Sequence, residues 1–204
     1  MFNLILKDIL IQKKIIIFYI ATIILYLLVD TSLVLIGFIY SVVFIMNAYS
    51  YDEKDNVNIL LNSLPYTRKE IVSSKYIGSL ISTSLIIIIT YVGDFLLNGK
   101  EVLFSWREIL LIIGLVMVAI SFMLPISYKF KTQHLLIASA ALFGIYMVTI
   151  NFLFPTLNDT LRELTQEFMT LQETQFYFLT ILMVSILYIG SWLLSIRIYE
   201  KKVF

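Results

Sequence analysis

Hydrophobic positions fall in long unbroken runs, and polar residues gather in short intervals between them. The runs are Ile15 to Val29, Leu33 to Tyr49, Ile77 to Leu97, Ile109 to Ser127, Leu135 to Phe154 and Phe176 to Ile196. A bilayer-crossing helix needs about 17–25 apolar residues at about 1.5 Å each, and the last five runs reach that length. The first is short, so either Lys13 and Lys14 snorkel or the helix continues past Asp30. Asp30, Thr31 and Ser32 read as a tight turn with an N-cap for the second helix. The pattern predicts an all-α integral membrane protein with six transmembrane helices. A cleaved leader is not predicted, because no small-residue cleavage site follows the first run and a second run comes almost at once.

The intervals carry their own periodicity. In residues 1–14, Phe2, Ile5, Leu6, Ile9 and Leu10 recur at helical spacing, while Asn3, Lys7 and Lys14 share another face. This reads as an interfacial helix before the first span, or as an extension of that span. The longest interval, Ser50 to Lys75, opens with Asp52, Glu53, Lys54 and Asp55, and its acids Asp52, Glu53 and Asp55 are available to basic groups on a partner. Val57, Ile59, Leu60, Leu61 and Leu64 follow, and Pro65 stops them. Thr67 with Glu70 three positions on is a capping box. The expectation is a short helix near Glu53 to Ser63, a break at Pro65, and a new helix from Arg68 into the third span. That short helix suits either docking into a partner protein or a simple interfacial hairpin. Between the last two spans, Leu157, Leu161, Leu164, Phe168 and Leu171 alternate with charged residues, predicting an amphipathic helix over 156–173. It lies in the membrane interface or covers the mouth of a pathway.

Charge gives the orientation. Of 15 Lys and Arg residues, 12 fall on the side of the two chain ends and only Lys100, Arg107 and Arg162 on the other. The positive-inside rule then puts both termini in the cytoplasm, an even span count, and the Ser50–Lys75 interval inside. The amphipathic helix over 156–173 is thereby external. Tyr49, Tyr51, Tyr76, Tyr128, Phe130 and Tyr199 fall at the inner boundary and Trp106, Phe154, Phe176 and Tyr177 at the outer, as belt aromatics, with each Phe equally suited to a helix contact.

Composition excludes most other classes. Sixty per cent of the 204 residues are hydrophobic and 14% charged, too apolar for a soluble surface. A net charge of +1 gives no basis for nucleic-acid binding. With no Cys and one His, thiolate chemistry is excluded and metal chemistry has little to work with. No phosphate-binding loop, zinc-protease motif or nucleophile elbow occurs, so neither ATP hydrolysis nor an intramembrane enzyme is expected. Inside the spans, Asp94 is the one acid well within a run, and it is shallow. With Ser79, Thr83 and Thr90 it forms a candidate pathway lining on the third span, although small residues there equally suit close helix packing. Pro125 predicts a kink in the fourth span.

Four passages carry a family resemblance: Lys7-Asp8 before the first span; Asn62-Ser63-Leu64-Pro65 with Arg68-Lys69-Glu70-Ile71-Val72 and Lys75-Tyr76; Leu124-Pro125 with Tyr128-Lys129-Phe130; and Arg197-Ile198-Tyr199-Glu200-Lys201-Lys202. With them the chain resembles the permease subunits of ABC-2 type transporters, in particular the small six-span bacterial permeases of the phenol-soluble modulin exporter. The resemblance implies that residues 1–204 form one permease domain in the bacterial cytoplasmic membrane. Phe2, Ile5, Lys7 and Asp8 would belong to an elbow helix over 1–14. A coupling helix within 52–65 would dock a cytoplasmic ATPase through Glu53, Asn56, Ile59, Leu60, Leu61, Leu64 and Pro65. ATP and Mg would be bound by that ATPase and no cofactor by this chain. A second permease, identical or not, would complete the transporter, and the cargo would be an amphipathic, antimicrobial-type peptide. The competing reading is an ATP-independent accessory or immunity protein that binds such a peptide.

Overall fold

A computed structural model describes residues 2–28, 32–54, 63–99, 106–129 and 173–201, with the backbone alone at 53, 54, 98 and 173–176. The described residues form six helices and no strand: α1 (Phe2–Ile11), α2 (Lys13–Leu28), α3 (Leu33–Lys54), α4 (Arg68–Asn98), α5 (Trp106–Lys129) and α6 (Glu173–Glu200). Four are long and apolar enough to cross a membrane, over Leu33–Asp52, Arg68–Leu97, Trp106–Lys129 and Tyr177–Glu200. Helices α1 and α2 meet at a 64° bend and together make up to one more span. Alone, the 16 residues of α2 reach only about 24 Å, short of a hydrocarbon core of about 30 Å. The predicted fifth span, the helix over 156–173 and residues 55–62 lie outside the described residues.

Local signals set the helix ends. The Thr67 hydroxyl accepts the Glu70 backbone N–H, and the Glu70 carboxylate accepts the Thr67 backbone N–H at 2.8 Å, so α4 starts on the predicted capping box. It stops at Gly99, whose φ of 59° lets its N–H reach back to the Phe95 carbonyl. Helix α5 continues through Pro125 to Lys129.

Contacts fix the directions. Tyr19 lies against Phe44 and Tyr26 against Tyr40, so α2 and α3 are antiparallel. Ser191 donates to the Ser121 carbonyl at 2.6 Å, and further along both helices the Tyr128 and Tyr199 rings meet edge to face at 5.3 Å. Helices α5 and α6 are therefore parallel. The ends of α3, α5 and α6 and the start of α4 gather at one end of the bundle, joined there by α1.

The exterior is apolar and the interior partly polar. Phe18, Leu25, Phe122, Phe178, Met183 and Ile186 are exposed, whereas Ser74, Ser79, Thr83, Thr90, Ser121 and Ser195 are buried. In lipid no hydrophobic force separates helix interiors from their surroundings, so packing rests on close approach and hydrogen bonding. The hydroxyls of Ser79, Thr83, Thr90 and Ser121 donate to carbonyls three or four residues back in their own helices. Close approach is sharpest at Gly37, where an added Cβ would lie 2.9 Å from Ile112 Cδ1 on α5.

Candidate functional site

The gathered end of the bundle holds a closed ring of charge. Lys7 and Asp8 are neighbours on α1, Asp52 is in the last turn of α3, and Lys75 is two turns into α4. Lys7 Nζ lies 2.6 Å from Asp52 Oδ1 and 3.2 Å from Asp8 Oδ1. Lys75 Nζ lies 2.8 Å from Asp8 Oδ2 and 2.5 Å from Asp52 Oδ2. Each ammonium touches both carboxylates, and the four charges sum to zero. Asp52, Lys75 and Asp8 are largely sequestered, with side-chain exposures of 3%, 9% and 12%. Charges at that depth are tolerated only when paired this completely. A cavity of about 20 Å³, room for one water, lies beside the ring among Asp8, Lys75, Ser79 and Ser82.

The ring reverses two expectations. Asp52 is not an acid free for a partner; it is buried between Lys7 and Lys75. Nor do Asn3, Lys7 and Lys14 form one polar face. The bend at Gln12 places Lys14 on α2, and Lys7 turns inward, while Phe2, Leu6, Leu10 and Ile11 face outward beside Asn3. Pairing outweighs hydration because two carboxylates wait on the inner side.

A second network ties the start of α4 to α6. The Tyr76 hydroxyl meets Ser191 Oγ at 2.7 Å and Ser195 Oγ at 2.8 Å, and its ring stacks on Trp192. Tyr188 donates to the Tyr76 carbonyl, and Trp192 Nε1 donates to Ser73 Oγ. Arg68 donates to the Glu200 carbonyl at 2.6 Å. Tyr49 donates to the Ser127 carbonyl and packs edge to face on Tyr128, which does the same with Tyr199. Tyr49, Tyr76, Tyr128 and Tyr199 are all buried, so these predicted boundary tyrosines are helix contacts, not belt residues. The Thr67 N–H and hydroxyl both donate to the Glu70 carboxylate, ahead of the apolar run of α4.

Phe2 is exposed and Ile5 is buried against Gly78. Of the docking residues, Glu53 is in the last turn of α3, and Leu64 and Pro65 are exposed just before α4. Asn56, Ile59, Leu60 and Leu61 lie outside the described residues. Ser79, Thr83, Thr90 and Asp94 are all buried along α4. Ser79 contacts the Tyr188 hydroxyl of α6 at 2.9 Å. One turn from Asp94, Tyr91 donates to Glu108 of α5. Among the described residues no three His, Cys, Asp or Glu side chains gather as metal ligands.

Long apolar helices, a lipid-compatible exterior and a hydroxyl-bonded interior define a multi-pass membrane protein. More specifically, residues 3–200 match the ABC-2 family transporter protein model, and the chain belongs to that family. It is thus a membrane component of an ABC transporter and not the catalytic one; ABC-2 permeases generally work with a cytoplasmic ATPase subunit. No curated protein matches the chain, and no solved structure does.

Proposed function

We propose that the chain is the permease subunit of an ATP-driven exporter, moved by a separate ATPase that grips residues 53–65. The observation that carries this is how firmly the two ends of that segment are rooted. At one end Asp52 is held by two lysines; at the other the Thr67–Glu70 box starts a 31-residue helix. A force applied between them enters α3 and α4 with little slack. Leu64 and Pro65, exposed at the second root, are available to a partner.

In this reading the gathered bundle end is cytoplasmic, as the Lys and Arg distribution requires. Parallel α5 and α6 support a further crossing between them and so a count of six spans. Helix α1 is the elbow helix at the inner interface of a bacterial cytoplasmic membrane, and 156–173 forms the external helix. A second permease, identical or paralogous, completes the pathway, with Ser79, Thr83, Thr90 and Asp94 on the helix that lines it. The cargo is an amphipathic, membrane-active peptide, and ATP and Mg act in the ATPase.

The test is co-purification of the tagged chain from membranes. An ATPase subunit accompanies the unaltered chain, and Leu60→Asp with Leu61→Asp releases it while the spans stay folded. Recovery of the unaltered chain with no ATPase, but with a bound peptide, would favour the ATP-independent accessory protein.

A further inference from the structure

We propose that the Lys7–Asp8–Asp52–Lys75 ring is a reversible clasp from which α1 lifts as an electrically neutral unit. The reason is how the ring divides. Separating α1 from the bundle breaks two sides of it, Lys7–Asp52 and Lys75–Asp8. The other two sides survive: Lys7–Asp8 at 3.2 Å travels with α1, and Lys75–Asp52 at 2.5 Å stays between α4 and α3. A simple buried salt bridge leaves a naked charge when it opens, which is what makes such bridges hard to break. This ring opens into two pairs that each compensate themselves.

The rest of α1 is built for the same motion. Only Leu4 and Ile5 are buried along it. Ile5 rests on Gly78, where no side chain interlocks with it; an added Cβ would sit at ordinary contact distance, 3.6 Å from the nearest Ile5 atoms. The outward residues Phe2, Leu6 and Leu10 are already suited to lipid. The pivot is fixed. Gln12, fully buried at the bend, donates from Nε2 to the Phe44 carbonyl of α3 at 3.1 Å. Helix α1 therefore swings about a pinned residue.

Because Asp52 and Lys75 flank the segment 55–62, the clasp also gives the ATPase stroke a route to the N-terminal helix. This last step rests on the function proposed above; the clasp itself does not. The experiment uses the full chain in lipid nanodiscs. The chain has no Cys, so Ser82→Cys places one buried thiol on the cavity that Ile5 and Asp8 of α1 line, where a maleimide reaches it when α1 lifts. Labelling should proceed in the chain with an intact ring. Neutralising both α1 charges, Lys7→Gln with Asp8→Asn, should accelerate it about tenfold, the effect of losing two partly buried ion pairs. No labelling with the intact ring, or the same rate in both chains, overturns the clasp. Spin labels at the exposed positions Leu6→Cys and Leu85→Cys give a second measure that leaves the packed interior untouched. The neutralised chain should show a broader, longer distance distribution, and an unchanged one overturns the clasp. If both measures behave as expected but ATP and the ATPase alter neither, the clasp stands and the coupling reading falls.

Discussion

Arg68 donates to the backbone carbonyl of Glu200 at 2.6 Å, so the first turn of α4 closes the last turn of α6 across 132 positions of sequence. The terminal carbonyls of a helix have no partners within it, and a guanidinium serves them well. Arg68→Ala should cost about 1 kcal/mol. Amide exchange over 197–201 should quicken while exchange in the middle of α6 stays unchanged.

The capping box should hold the start of α4, because Thr67 and Glu70 each satisfy a backbone N–H that has no partner within the helix. Amide exchange at residues 68–71 measures that hold. At neutral pH, Thr67→Ala should destabilise the helix by about 1 kcal/mol, with Thr67→Ser close to neutral.

Gly37 is required by Ile112. An alanine Cβ there would come within 2.9 Å of Ile112 Cδ1 and 3.3 Å of its Cγ2, and Ile112 is fully buried. Gly37→Ala should cost about 1–3 kcal/mol in a detergent unfolding titration. Ile112→Val, which removes the nearer atom, should recover much of that loss in the double variant. Additive costs would show that α3 and α5 part without repacking.

Tyr76→Phe keeps the stack on Trp192 and removes the hydroxyl shared by Ser191 and Ser195. Ser191 retains its bond to Ser121, whereas Ser195 loses this contact inside the bundle. The expected cost is about 1–2 kcal/mol. Tyr76→Ala, which also empties the ring site, should cost about 3–5 kcal/mol. Both follow from unfolding titrations of the purified chain.

What local sequence pattern can encode, it encoded here. Apolar run length anticipates α3 to α6, and Thr67-x-x-Glu70 marks the start of α4, because caps and periodicity act within a few residues. The charge ring could not be read that way. Its cross-helix pairs span 23, 45 and 67 positions, and each member alone resembles an ordinary charge near a membrane boundary. A usable signal existed in hindsight: Lys7, Asp8, Asp52 and Lys75 share one predicted boundary and sum to zero. The tyrosines misled for a similar reason. An amphipathic ring at a helix end suits a lipid headgroup and a neighbouring serine equally, and only tertiary packing decides between them.

The inward-turned charges of α1 bear on how the protein is made. Lys7 and Asp8 leave the ribosome well before Asp52 and Lys75 exist to receive them. Until then they have only each other, and the rest of the helix has little taste for water. A helix synthesised ahead of α3 and α4 must be seated after them, waiting at the bilayer surface until that later pair arrives.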